Sequence, residues 1–250
     1  MPISLKRRTE ERPKPDSMTL FEHLAELRTR VLTCAVAFVI AATIAFLFYP
    51  HILSFLQHPY CEIRPPHGCH FYITGPLDGL ALRVKIAAYG GLFLASPVLL
   101  FEFWRFITPG LKPNEKRYAI PFVVASITLF ALGCAVAFLT FPHALRWLDS
   151  IGGPSLTEIF NPIQYLSLII LLMVVFGLTF EFPVLLVSLE VAGVLSPKKL
   201  ASWRRWAIVG IVVVAGVVTP SSDPFSMMAL AIPLYIFYEL SIVIGRIVRR

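Results

Sequence analysis

The chain has 250 residues, 57% of them hydrophobic and only 15% charged, with a formal net charge of +7 and a mean hydropathy of +0.75. Soluble domains carry about a quarter charged residues, and a fold of this size has too little interior to hide the surplus apolar surface. A water-soluble enzyme and a disordered chain are both excluded, which leaves the bilayer as the solvent.

The N-terminal segment is polar. Arg7 and Arg8 are adjacent, but Glu10, Glu11 and Asp16 separate them from the first apolar run, so residues 1–17 read as a tail ahead of a single membrane domain, residues 18–250. Thr19-Leu20-Phe21-Glu22 fits a capping box. Leu20, Leu24, Leu27 and Val31 then repeat at three- and four-residue spacing as one apolar stripe, while His23, Glu26 and Arg30 share another face. On composition alone this is a surface helix with a Glu26–Arg30 pair worth about 0.3–0.5 kcal/mol.

Six apolar runs follow: Val31–Tyr49, Ile86–Phe106, Ala119–Phe141 and Tyr165–Val194, then the shorter Trp206–Val218 and Met227–Gly245. A spanning helix needs about 20 mostly apolar residues. The breaks between runs are rich in proline, glycine, serine and charge. Unbroken apolar blocks, rather than ten-residue alternating stretches, argue against a β-barrel. The first run begins too late and is too long for a cleavable signal peptide, and no small-residue cleavage pattern follows it. The expectation is an all-α polytopic protein of six transmembrane helices, the fifth and sixth of them short.

Lysine and arginine set the orientation. Of the 22, eighteen fall in the N-terminal tail, the second and fourth connections and the C-terminus, against Arg64, Arg83, Lys85 and Arg146 on the other side. Both termini are therefore expected in the cytoplasm. Membrane topology accounts for the positive charge, and no nucleic-acid partner is needed to explain it.

Cys34 and Cys134 lie inside apolar runs and read as small buried hydrophobes. Cys61 and Cys69 flank Pro65-Pro66 and Gly68 in the first external loop, where an oxidising face would permit a disulfide. His67 and His70 beside them lack metal-ligand spacing and read as solvated loop residues; no metal is expected.

Three acids stand out. Glu115, in Leu111-Lys112-Pro113-Asn114-Glu115-Lys116-Arg117, either answers the positive end of the next helix or serves as a lone carboxylate on a basic face. Glu181 lies near the middle of Tyr165–Val194, two residues before Pro183, which must disturb the helix. An acid there is either protonated and bonded to a neighbouring helix or a polar point in a water-filled concavity, and an intramembrane acid is a functional candidate by default. Asp223, in Thr219-Pro220-Ser221-Ser222-Asp223-Pro224, has ordinary turn chemistry. The run before it, Trp206–Val218, gives only about 20 Å of helix. Its Ala207, Gly210, Ala215 and Gly216 would let a partner helix approach closely.

The chain carries no phosphate-cradling loop, His-Glu-x-x-His or Gly-x-Ser-x-Gly, and no internal repeat. Neither an enzyme nor a cofactor is expected.

The ordered motifs resemble a known family. Met18–Arg30, with His23-Leu24-Ala25-Glu26-Leu27-Arg28 at its centre, is similar to the N-terminal signature of the TatC family, the multi-spanning subunit of the twin-arginine protein translocase. Ser96-Pro97-Val98, Trp104, Phe106, Pro109, Leu111 and Glu115 resemble its second signature. Phe180-Glu181-Phe182-Pro183 and the Thr219-Pro220…Asp223 turn follow in the family's order. The resemblance implies a receptor for folded export cargo bearing an Arg-Arg signal peptide, driven by the proton-motive force in the cell membrane. It implies that Glu26 and Glu115 bind the arginine pair, with Arg28, Phe106 and Leu111 close by. It further implies a glove-like concave wall that Glu181 faces, Pro59 in an external cap, and a homo-oligomer within a receptor complex. Single-span TatA- and TatB-type subunits would dock near Thr219, Gly216 and Met227. Two positions depart from the family: Phe138 stands where a tyrosine is common, and Met227 where relatives can have glutamine. Two other classes stay in view: a proton-coupled small-solute transporter using Glu181, and an intramembrane enzyme, which would need a second catalytic group at the same depth.

Overall fold

The computed structural model describes residues 20–63, 71–72, 75–107, 119–152, 161–219 and 223–248. Among these the regular elements are all helices: α1 (Leu20–Leu47), α2 (Tyr49–Ile63), α3 (Asp78–Ile107), α4 (Ala119–Gly152), α5 (Pro162–Thr179), α6 (Phe182–Val191), α7 (Pro197–Ser202), α8 (Arg204–Val218) and α9 (Pro224–Val248). Five stretches are long and apolar enough to cross a membrane: α1, α3, α4, the kinked Pro162–Val191 formed by α5 and α6, and α9. The 15 residues of α8 give about 22 Å of helix, less than the roughly 30 Å of a bilayer's hydrocarbon core. Large apolar side chains such as Val36, Leu139, Val217 and Ile247 point outward, an arrangement that lipid tolerates and water penalises.

Several elements depart from the sequence expectation. The amphipathic segment and the first span form one continuous helix, because nothing between Glu26 and Val31 breaks it. The connection between the first two spans contains a helix, α2, with Pro59 buried inside it. The Tyr165 hydroxyl donates to the Leu56 carbonyl at 2.9 Å, and the rings of Tyr60, Phe71 and Phe141 gather around Tyr165, so α2 is held against α4 and α5. Phe55 of α2 stacks on Phe138 at 4.5 Å, a contact that needs no hydroxyl at that position. Cys61 is disulfide-bonded, while Cys69, its expected partner, lies outside the described residues.

The sixth run is not short. α9 has 25 residues, because Asp223 caps it and Pro224 begins it, ahead of the apolar stretch. α3 likewise starts at Asp78, whose Oδ2 accepts the Gly75 N–H at 2.7 Å. Its first turns carry Arg83, stacked over the Phe46 and Tyr49 rings, and Lys85, which donates to the Ser167 hydroxyl of α5. α4 runs past Pro142 to Gly152.

Small residues set the closest approaches. A Cβ on Gly91 of α3 would lie 2.6 Å from the Ala42 Cα of α1, and one on Gly133 of α4 would lie 2.7 Å from the Phe176 carbonyl oxygen of α5. In lipid, where apolar burial gives little preference for one helix over another, such backbone proximity supplies much of the association. Around these contacts Ile86, Phe141, Phe176, Phe180 and Leu230 are fully buried.

Gly91→Val should therefore force α1 from α3 and lower stability by about 1–3 kcal/mol, the usual scale of overpacking. Gly210→Val, at a site where a Cβ meets nothing within 4 Å, should be near neutral. Thermal melts of the two variants in detergent compare them; equal melting temperatures would sink the close-packing account.

Candidate functional site

Buried polar side chains form three groups between the helices. The first group is built on Arg30. Its Nε donates to Glu26 Oε1 at 3.1 Å, its Nη2 reaches the same oxygen, and its Nη1 donates to Glu102 Oε2 at 2.9 Å. The side chains of Arg30, Glu26 and Glu102 are 13%, 20% and 10% exposed. The Glu26–Arg30 pair foreseen as an exposed helix contact is thus half of a nearly buried acid–guanidinium–acid group joining α1 to α3. Arg105, one turn along α3 and exposed, lies 3.9 Å from the other Glu102 oxygen. Glu102 escaped the sequence reading. Its signal was an acid inside Leu99-Leu100-Phe101-Glu102-Phe103-Trp104, the same signal that singles out Glu181.

The second group lies at the break between α5 and α6. Pro183 has no N–H for the Thr179 carbonyl, so the helix stops at Thr179 and restarts at Phe182. Glu181 sits in that break and is 8% exposed. The Trp104 indole N–H of α3 donates to the Ser126 hydroxyl of α4 at 2.6 Å, and Ser126 hydrogen-bonds the Glu181 carboxylate. Glu181 Oε1 is buried with no hydrogen-bond partner among the described residues. Glu181, for which the sequence left open a bond to a neighbouring helix or a place in a concavity, is thus nearly buried beside Ser126. Ser126, fully buried, was missed because one serine in an apolar run carries no sequence signal of its own.

The motif Ser96-Pro97 has a related logic. Pro97 frees the Phe93 carbonyl, and the Ser96 hydroxyl donates to it at 2.8 Å.

A third group ties α6, α7 and α8 to α9. Glu190 is fully buried, and a methyl group at Gly245 of α9 would overlap its carboxylate. Arg204 Nη2 donates to Glu239 Oε2 at 2.7 Å, and the Tyr238 hydroxyl donates to the Leu200 carbonyl at 2.7 Å. α6 closes with Gly193 at φ 77°, a left-handed position, and the Val194 N–H returns to the Leu189 carbonyl.

The remaining candidates are dispersed. Arg28 is exposed on α1, and Phe106 is half-buried at the end of α3, while Leu111 and Glu115 lie outside the described residues. Thr219 is buried and donates its hydroxyl to the Ala215 carbonyl at 2.6 Å. Gly216 abuts Met227, whose Cε would lie 3.3 Å from an added Cβ, so both serve contacts within the chain. Asp223 is buried and accepts the Ser226 N–H at 2.7 Å. Cys34 and Cys134 are free thiols. No cluster of three or more metal-ligating side chains occurs among the described residues.

Comparison with known proteins agrees with the motif order. A family model described as Sec-independent protein translocase protein (TatC) matches residues 22–233. The Sec-independent protein translocase protein TatC of Frankia casuarinae is 42% identical over 238 residues, covering 91% of this chain; the chain spans only 65% of that relative's length. The TatC of Aquifex aeolicus is 38% identical over 236 residues, covering 93% of this chain and 97% of the relative. A crystal structure of the twin arginine translocase receptor TatC superposes with a TM-score of 0.72 at 38% identity, over 92% of this chain and all of the other.

Ser126→Ala should leave the indole N–H and the Glu181 carboxylate without their shared partner and lower stability by about 1–3 kcal/mol. In a Trp104→Phe background the same substitution should lose less, because one of the two stranded groups is gone. Melting of the four proteins reads this coupling; strictly additive losses would refute the shared hydrogen bond.

Proposed function

We propose, from the premise that this chain belongs to the TatC family, that it is the signal-peptide receptor and core subunit of a twin-arginine translocase, and that Glu26 with Glu115 receives the peptide's arginine pair. The observation that carries the reading is the grip of Glu26 on a guanidinium: it already holds Arg30 through two nitrogens. Guanidinium and carboxylate match in shape as well as charge, and charge-assisted bonds of this kind exceed neutral ones. Glu26 is the more exposed of the two carboxylates around Arg30, at 20% against 10% for Glu102. Arg28, Phe106 and Leu111 flank this site in sequence and would line the peptide's path.

The same reading gives the membrane arrangement. α8, although shorter than the other spans, is the fifth of six transmembrane helices, and the positive-inside bias puts both termini in the cytoplasm. Single-span TatA- and TatB-type subunits would dock on α8, whose Val213 and Val217 are exposed, with the Thr219 turn and the Gly216–Met227 contact shaping that edge from within. Several copies would assemble around the docked peptide, and the proton-motive force would drive passage of folded cargo. Glu181, bonded to Ser126 at the helix break, would supply a polar point at mid-depth, and α2 with Pro59 would close the outer side.

Full-length protein in nanodiscs should bind a synthetic peptide carrying Arg-Arg, and bind the Lys-Lys version more weakly. Glu26→Gln and Glu115→Gln should each cost about 2–5 kcal/mol of affinity, the scale for truncating a close charged pair at an interface. Binding that ignores both substitutions while the protein stays folded would remove the receptor assignment.

A further inference from the structure

We infer that Arg30 is an internal occupant of the peptide site, and that Glu102 is the positioning residue that keeps Arg30 when a peptide arginine takes Glu26. The inference rests on the receptor reading of Glu26.

Glu26 Oε1 is engaged by Nε and Nη2 of Arg30, while Nη1 of the same guanidinium is bonded to Glu102 Oε2 across 72 residues of sequence. Arg30 holds Glu26 Oε1 and Glu26 Oε2 is buried, so a peptide guanidinium must take the oxygen that Arg30 now holds and binding is an exchange. Arg30 is 13% exposed, and a cation released from its partner at such a depth is strongly disfavoured unless a second anion remains. Glu102 is that anion. It sits on a different helix and is 10% exposed, so the guanidinium can turn wholly onto it while α1 and α3 stay in place. Arg105 approaches the opposite Glu102 oxygen at 3.9 Å and leaves Oε2 to Arg30. Arg28 is exposed and stands outside the group.

The exchange also bears on specificity. An incoming cation must displace a forked donor from Glu26. A second fork can replace the lost hydrogen bonds in kind, whereas a lysine ammonium offers a point charge without the planar geometry. Arg30 therefore widens the preference for Arg-Arg over Lys-Lys peptides.

The test measures the dissociation constants of fluorescent Arg-Arg and Lys-Lys peptides on full-length protein in nanodiscs. The proteins are wild type, Arg30→Gln, Glu102→Gln, the double variant and Glu26→Gln, each with a melting curve. Glu102→Gln should weaken Arg-Arg binding by about ten- to a hundredfold, the scale of one hydrogen bond to a charged group. Arg30→Gln should tighten it and narrow the Arg-Arg to Lys-Lys ratio. The double variant should bind at least as well as wild type, because without Arg30 there is no cation left for Glu102 to hold. A merely structural Glu102 predicts the opposite, a loss that persists in the Arg30→Gln background, and that result overturns the inference. So does weaker or unchanged binding by Arg30→Gln, which alone decides the matter if Glu102→Gln fails to fold. Binding that survives Glu26→Gln undiminished brings down the receptor reading itself, and the exchange with it.

Discussion

A charge buried in a lipid-facing helix bundle has no water to turn to, so it must be answered by another part of the chain. That requirement organises this protein. Arg30 of α1 is answered by Glu26 and by Glu102 of α3, Lys85 of α3 by Ser167 of α5, and Glu181 by Ser126 of α4. Arg83, which is exposed, lies over the faces of Phe46 and Tyr49. Small residues bring the backbones together at Gly91 and Gly133, but a glycine contact tolerates sliding along the helix. The polar pairs do not: a helix shifted by one turn would strand an ion. Small residues thus set the distance between helices, and the buried polar pairs set their register.

Proline and hydroxyl chemistry extend the same logic to the backbone. Pro97 sits inside α3 without ending it, because Ser96 takes up the Phe93 carbonyl that Pro97 leaves free. At Pro183 the chain instead breaks between Thr179 and Phe182, and Glu181 occupies the gap. The two motifs look alike in sequence, each a proline beside a polar residue. They differ in where the polar group points. A short hydroxyl can reach back to its own helix, as Ser96 does, whereas the Glu181 carboxylate is engaged by Ser126 of another helix. One proline therefore preserves a span, and the other fixes a buried acid between helices.

The apolar runs showed where the spans lie, because twenty apolar residues in a row have few other uses. Their ends were less legible: α3 and α9 begin before their runs, since Asp78 and Asp223 cap polar first turns that hydropathy counts as loop. α2 was missed altogether. It is a mixed helix with a proline inside it, held by long-range aromatic contacts to Tyr165 that no local pattern announces. At the candidate site, Glu26 and Glu181 were legible because acids near or in apolar runs are rare. Glu102 and Glu190 carried the same signal and passed unnoticed inside runs judged by their average. Arg30 could be paired with Glu26 from helical spacing. Its second partner, seventy-two residues away, follows only from the packing of α1 on α3.

A receptor carboxylate at the edge of a membrane faces two opposed demands. It must be accessible enough to meet a cationic ligand, yet an ionised acid that waits without a partner near lipid is penalised by desolvation. The graded exposure of the Arg30 group meets both. Glu102, the deeper acid, and Arg30 form the permanent part, while Glu26, at 20% exposure, lies closest to solvent. The resident guanidinium keeps the Glu26 carboxylate oriented before any peptide arrives, so the site is preorganised for the chemistry it is proposed to recognise. The same contact raises the threshold for entry, because only a ligand that replaces a forked donor in kind recovers what is displaced. Stability of the empty site and selectivity for arginine would then have one origin, the placement of a single arginine between two carboxylates on neighbouring helices.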